Sequence, residues 1–410
     1  MTELTARELL VHLYETAVDA VDGRHLVQQW CRDHPSSSFT HCVAIGKAAS
    51  AMLQGALESR HTIKQALLIT TRQPVARELK RNNKVTIIQS AHPVPDQSSL
   101  DAGDALVKFL NNAPEHARVL VLISGGASSL VEVLAQGISL SRLQQVNEYL
   151  LASGKNIHAM NFWRKQFSSI KGGGLLRYVQ QLQCTQLIIS DVYANDPAII
   201  GSGLLVQSDC GESDSDDYLE SLLPVEPGQS ESYKPIETHV VGTNQVAMHA
   251  VEHEAECQGL DHFLHQEFLN GDAVEKGRLV GNYLLGAQAG IHIWGGETTV
   301  TLPENPGLGG RNQSMALSLA AVIDGHSELS VLVAGTDGID GNTPCAGAIV
   351  SGDSMRVTRQ MGFDAEAELA KANAGTVLMA IGDLFKPGPS NTNVMDVVIA
   401  CKRQVLTRKV

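Results

Sequence analysis

The sequence predicts an α/β protein of two α/β domains, and three observations carry that prediction. Several short apolar runs end in Gly- or Ser-rich tips and pass into Ala- and Leu-rich stretches, the pattern of parallel strands feeding helices. Aromatic residues are scarce, at 4%, against 37 glycines, which suits tight turns between closely packed layers. The length of 410 residues exceeds the roughly 250–300 at which a single core stops growing, so two or three domains are expected, with chain enough for a cleft.

Four strand-turn-helix units are clearest: residues 42–45 before Gly46-Lys47, 118–123 before Ser124-Gly125-Gly126, 186–189 before Ser190-Asp191, and 330–334 before Gly335-Thr336-Asp337-Gly338. All four turns fall at expected carboxyl ends of strands, where open α/β sheets bind ligands. Residues 1–20 mix charges with Leu and Val at helical spacing and read as an amphipathic helix, with no apolar core of a signal peptide. The acidic stretch 207–217, followed by Pro224, Pro227 and Pro235, reads as a surface excursion leading to a domain junction. A strand pattern starts at Glu237, a helix covers 246–258, and strands with glycine turns return at His292. The expected domains are therefore 1–235 and 236–410, with no repeat of 20–50 residues.

Composition narrows the function. A net charge of −13, from 44 acidic and 31 basic residues, argues against nonspecific binding to nucleic acid or an anionic membrane. An anionic substrate would need Lys and Arg gathered locally. The seven cysteines stand singly, which fits a reducing compartment, and no segment has the roughly 18 apolar residues of a membrane span. A cytoplasmic protein is expected.

Six stretches carry candidate chemistry. In Gly46-Lys47-Ala48-Ala49 a lysine sits where a strand opens into a helix; cations gain nothing from the positive end of a helix, so Lys47 asks for an anion such as phosphate, unless it snorkels to solvent. The phosphate-loop pattern G-x-x-x-x-G-K-[ST] is absent, with His41 at its first glycine and Ala48 at its hydroxyl. Ser124-Gly125-Gly126-Ala127-Ser128-Ser129 can offer amides and hydroxyls to phosphate oxygens, though close packing of strand on helix explains the glycines equally. Arg164, Lys165 and Lys171, the last before three glycines, form a local anion site if they share a face, and solvated decoration if they do not. Asp191 at a strand tip can hold Mg²⁺ or accept a hydroxyl proton, or simply cap a following helix. Gly295-Gly296-Glu297 and then Gly307-Leu308-Gly309-Gly310-Arg311-Asn312 deliver an arginine on a glycine loop at a helix start, where its planar fork can meet a transferring phosphoryl group. Asp337 and Asp340, three apart among glycines, suggest a metal or hydroxyl clamp but lack the rest of a calcium loop, and a plain turn stays open. Near the end, residues 388–394, with Asn393, form a polar loop before a last strand.

In this order, and with Ser90-Ala91-His92-Pro93-Val94-Pro95-Asp96 added, these stretches resemble the glycerate 2-kinase (MOFRL) family from about Val43 to the C-terminus. The resemblance implies a Rossmann-like three-layer N-terminal domain and a smaller C-terminal MOFRL domain with an active-site cleft between them. It also implies ATP and Mg²⁺ or another divalent cation as requirements, and phosphorylation of D-glycerate at O2. It makes Lys47, Arg311 and Asp191 the catalytic candidates. Ser124, Gly125, Gly126, Ser128, Arg164, Lys171, Gly309, Gly310, Asn312 and Asn393 become candidates for substrate and nucleotide, and Asp191, Glu297 and Asp337 for metal. Where the family often reads S-G-P-T this chain has Gly201-Ser202-Gly203-Leu204-Leu205, and Ala194-Asn195-Asp196 replaces a Gly-Asp-Asp, so substrate preference can differ. Alternatives are a hydroxypyruvate reductase, for which no G-x-G-x-x-G follows a strand, and a non-catalytic glycerate or nucleotide sensor. The oligomeric state is open, a homodimer among the options.

Overall fold

The computed structural model describes residues 4–60, 62–153, 155, 157–207, 215–223 and 232–404. Residues 208–214 of the acidic stretch, and Pro224 and Pro227, lie outside the described residues. The chain divides into two compact units, Asp22–Gly242 and a second made of Met1–Val21 with Thr243–Val410. Among the described residues, thirteen strands form one sheet of six and one of seven.

The first unit holds β1 (His41–Ile45), β2 (Gln65–Thr71), β3 (Val85–Ser90), β4 (Arg118–Ile123), β5 (Gln183–Ile189) and β6 (Glu237–Gly242). They lie in the order β3-β2-β1-β4-β5-β6 and every pairing is parallel. Runs such as Val119 to Ile123 are buried throughout, because helices cover the sheet and neither face meets water. The order reverses between β1 and β4, which opens a crevice at their carboxyl ends. The turns after residues 45 and 123 therefore meet there, as the strand-turn-helix reading requires. Beyond this core, helices Leu140–Ala152 and Ile157–Gln166 pack Leu143, Val146, Leu150, Trp163 and Phe167 into a satellite cluster.

The second unit holds β7 (His262–Leu264), β8 (Leu269–Asp272), β9 (Gly290–Thr299), β10 (Leu329–Gly335), β11 (Gly347–Ser351), β12 (Leu384–Phe385) and β13 (Asp396–Lys402). Their order is β12-β11-β10-β13-β9-β7, with β8 also on β9. Here β10 runs antiparallel to both β11 and β13, so the fourth expected parallel strand is not one. Its buried run misled because this sheet is also covered on both faces. Val331 and Val333 face helix Arg311–Val322, while the side chains between them are buried on the opposite face, where helix Ala6–Ala20 packs. A run buried on both sides carries no sign of strand direction.

The boundary expected at 235/236 also differs from the units found. Residues 237–242 complete the parallel sheet as its edge strand on β5. Helix Ala6–Ala20, started by a Thr5–Glu8 capping box, belongs with the second unit: Tyr14 Oη donates to the Gly335 carbonyl (2.8 Å) and Thr392 Oγ1 to that of Val21 (2.7 Å). Helical periodicity announces a buried face, but not the partner that buries it. Among the described residues, no helix is long and apolar enough to cross a membrane.

Candidate functional site

Each unit carries one constellation. In the first, β1 ends at Ile45, just before Gly46, and the helix Ala49–Ser59 starts two residues after Lys47, with no side-chain cap. The Lys47 N–H donates to the Gly125 carbonyl (2.9 Å), and the Ala48 N–H donates to Ser124 Oγ (3.1 Å), so the tips of β1 and β4 are stitched together. Ser124 is fully buried and its hydroxyl is used in this stitch, which makes it a scaffold residue instead of a ligand-binding one. Gly126 sits at φ 83°, where L side chains are strained, and a Cβ there would come within 2.9 Å of His92. The imidazole of His92 thus lies over the turn, a neighbour the motif reading did not place. The helix behind the turn is one turn long, Ala127–Leu130, so its dipole adds little; hydroxyls matter more. Ser128 Oγ lies 2.8 Å from Ser202 Oγ, which donates to Asn161 Oδ1 (3.0 Å).

Asp191 follows β5, half-buried, and the next helical residues are the short Ile200–Ser202, so helix capping does not explain it. Burial pushes its carboxyl up, and the positive charge of Lys47 pulls it back, which puts the two side chains within electrostatic reach. The basic stretch is split. Lys171 is buried and its ammonium pairs with Glu132, whose other oxygen accepts from Ser168 Oγ (2.5 Å). That pairing removes Lys171 from the anion-binding candidates, since a buried cation already neutralised has nothing left for a substrate. Lys165 runs its stem along Gly172. Arg164 is half-buried and, among the described residues, makes no hydrogen bond or ion pair; burial alone moves its guanidinium, downward.

The second constellation is built on Arg311, the first residue of helix Arg311–Val322. Its Nε and Nη2 fork onto Asp396 (2.5 and 2.8 Å), the buried first residue of β13, and Glu297 Oε1 stands 3.5 Å from Nη2. Burial works against the charge, but Asp396, Glu297 and Asp340 outweigh it and raise the guanidinium further, so Arg311 is a permanent cation. Asn312 donates its side-chain amide to Asp396 (3.0 Å), which takes it out of the ligand-binding candidates. Asp340, also buried, accepts the N–H groups of Asn312 (3.2 Å) and Gln313 (2.9 Å) and so caps the helix from a distant loop. Burial pushes its carboxyl up to about 7, against the pull of those amides and with help from Asp396. Gly310 must be glycine here, because a Cβ would sit 2.2 Å from Asp340 Oδ1. The Gly309 N–H is taken by Asn342 Oδ1 (2.9 Å), leaving no phosphate amide at that position.

This arrangement opens onto a pocket of about 620 Å³ lined by Glu297 to Val300, Leu302, the 306–310 loop, Arg311 and Asn342. Thr298 lines it too; the residue is 4% exposed and its buried Oγ1 has no hydrogen-bond partner. Asp337 Oδ1 accepts from Ile339 N–H (3.1 Å) and Asn393 Oδ1 from Met395 N–H (3.3 Å), local turns in both cases. Asp337 and Asp340 do not form a clamp, since Asp340 is committed to the helix. Among the described residues, no three His, Cys, Asp or Glu side chains stand together as a metal set. Of the residues that matter, Asp396 lies outside every motif, a lone carboxylate at a strand start with no glycine or charge cluster to flag it, while Asn161, Ser202 and Thr298 stand inside the glycine-rich and basic stretches without a role that the motifs alone assign.

The parallel sheet of order 3-2-1-4-5-6 has the topology of dinucleotide-binding folds, but after β1 the chain reads Gly46-Lys47-Ala48-Ala49-Ser50-Ala51 where their glycines would stand. With a second unit that presents a clamped arginine at a pocket, fold and sites define a two-unit α/β protein equipped for anionic ligands. Residues 9–225 match DUF4147, a domain of unknown function, and residues 290–396 match the MOFRL family. A glycerate 2-kinase of Pyrococcus horikoshii is 32% identical over 94% of this chain and 91% of its own. A protein of Agrobacterium vitis named as a candidate hydroxypyruvate reductase is also 32% identical, over 96% of this chain and 94% of its own. The crystal structure of a glycerate kinase from Thermotoga maritima superimposes with a TM-score of 0.83 at 27% identity, covering 97% of this chain and 99% of that one. The chain belongs to the MOFRL-type glycerate kinase family.

Proposed function

We infer that this chain is an ATP-dependent glycerate kinase, transferring the γ-phosphoryl group of ATP to the O2 hydroxyl of D-glycerate. Kinship supplies the reaction class, and one observation of the site carries the reading: Arg311 is held by two bonds to buried Asp396 at the mouth of a pocket whose Thr298 hydroxyl lacks a partner. Such a clamped fork is preorganised for the charge that develops on a phosphoryl group in flight. In the proposed step the glycerate hydroxyl oxygen bonds to the γ-phosphorus, the bond to the bridging oxygen breaks and ADP leaves. Asp191, its basicity raised by burial, accepts the hydroxyl proton. In the first unit Lys47, the Gly125-Gly126 turn and Ser128 are the groups assigned to phosphate oxygens, and in the second unit Arg311 is the cation assigned to neutralise phosphoryl charge. A divalent cation accompanying ATP would find hard oxygen ligands at Asp191, Glu297 or Asp337 and would supply further charge neutralisation. Among the described cysteines all six are unpaired thiols, in keeping with work in the reducing cytoplasm.

Phosphorus NMR of the protein with ATP, magnesium and D-glycerate tests the reading, and 2-phosphoglycerate is the expected product. ATP and glycerate left unchanged, with NADH oxidised by hydroxypyruvate, would replace it by the reductase reading that the Agrobacterium relative's name suggests.

A further inference from the structure

A half-buried arginine with no counter-charge is unusual, since guanidinium groups that leave water ordinarily do so on a carboxylate. Arg164 is in that position: among the described residues no carboxylate, carbonyl or hydroxyl accepts from it, and burial alone lowers its proton affinity, with no acidic neighbour to raise it again. The two cations nearest in sequence differ, as Lys171 is neutralised by Glu132 and Lys165 runs along Gly172. The setting of Arg164 is fixed. Trp163 and Phe167 anchor helix Ile157–Gln166 in the satellite cluster, and Asn161, one turn before Arg164 and beside it on the helix surface, accepts from Ser202, which bonds Ser128. The helix that carries Arg164 is thus tied through Asn161 and Ser202 to the serine-glycine turn at the switch point of the parallel sheet, where α/β folds bind their ligands.

We propose that Arg164 binds the carboxylate of the acceptor substrate and makes the site select hydroxy acids over uncharged polyols. The inference rests on the kinase reading for the identity of the acid. The planar fork matches a carboxylate in two parallel bonds, and the missing counter-charge arrives with the substrate. Asn161 and Ser202 hold the helix that carries the arginine in register with the turn, so the carboxylate and the reacting hydroxyl of one small molecule are fixed by different elements.

Calorimetric titration of the whole protein with D-glycerate and with glycerol, which lacks the carboxylate, tests this in the wild type, Arg164→Ala and Arg164→Lys. The wild type should bind D-glycerate and discriminate strongly against glycerol. Arg164→Ala should weaken D-glycerate by about thirty-fold or more while leaving glycerol and ATP affinity within about twofold, and Arg164→Lys should recover part of the loss. A structural role would instead lower all affinities together and would not respond to lysine. Arg164→Ala binding D-glycerate within threefold of the wild type, or a wild type indifferent to the carboxylate, overturns the proposal. Turnover is read separately: a wild type that binds D-glycerate through Arg164 but transfers no phosphate would sink the kinase reading and leave the carboxylate site standing.

Discussion

Two cation–carboxylate pairs, one in each unit, look alike on paper and do different things. Lys171 and Glu132 are 3% and 0% exposed, sealed against each other, with Ser168 satisfying the remaining oxygen. Arg311 and Asp396 are 31% and 5% exposed, so the carboxylate is buried while the guanidinium still fronts a pocket. The ammonium of Lys171 is sealed away from solvent together with its carboxylate, so no ligand can reach the donors it has left. The guanidinium of Arg311 has five donors, of which Asp396 occupies two, and the group still fronts the pocket, so the pairing aims it. A buried ion pair is therefore a scaffold or an active device according to whether the donors it leaves over can be reached.

That contrast can be broken most forcefully at Arg311. Arg311→Ala should lower kcat by at least about 10³, and because it strands buried Asp396 some stability should go with it, so turnover is best expressed per folded molecule. Lys47→Ala should lose as much kcat, and near-normal turnover in either variant would remove its residue from the chemistry. The opposite signature is expected of Lys171→Met. Unfolding in urea should show a loss of about 3–5 kcal/mol, and kcat of the folded fraction should stay within a few-fold of the wild type. Replacing Glu132 by Leu in the same protein should restore much of that stability.

Asp396→Asn sharpens the comparison from the other side. It keeps the shape but frees the fork, and kcat should fall by about 10- to 100-fold with a smaller change in KM for ATP. The smallest effect concerns the cap. Asp340 has a carboxyl near 7 in the folded protein, above its ordinary value of about 4, so between those pH values the native state keeps a proton that the unfolded chain has released. Its contribution to stability is full below about pH 4 and is lost as pH rises through 7. Thermal melts across that window should slope downward, by on the order of 1 kcal/mol per pH unit from this group, and Asp340→Asn should flatten the slope.

Much of the site could be read directly because its residues sit at punctuation. Lys47 and Asp191 follow apolar runs, and Arg311 follows glycines that prove to be there for a steric reason: Gly310 makes way for Asp340. The reading went astray where chemistry depended on a partner far along the chain. Lys171 reads as an anion binder in the sequence, but Glu132, 39 residues earlier, already neutralises it. Asn312 and Gly309 looked available until Asp396 and Asn342 took their donors. Asp337 and Asp340 looked like a pair because they are close in sequence, yet one serves its own turn and the other a helix 27 residues before it.

By itself the sequence determined the α/β class, the positions of most strands and the turns at their ends, and the cations presented there, because periodicity and glycine placement are local records of burial and backbone geometry. Tertiary structure alone decided that β10 is antiparallel, that helix Ala6–Ala20 joins the second unit, and which charges are already neutralised. Those outcomes are pairings between distant segments, and a buried face or a lone charge announces only that it needs a partner. Arg311 and Asp396, 85 residues apart, become one device only when β13 and the helix start are brought together.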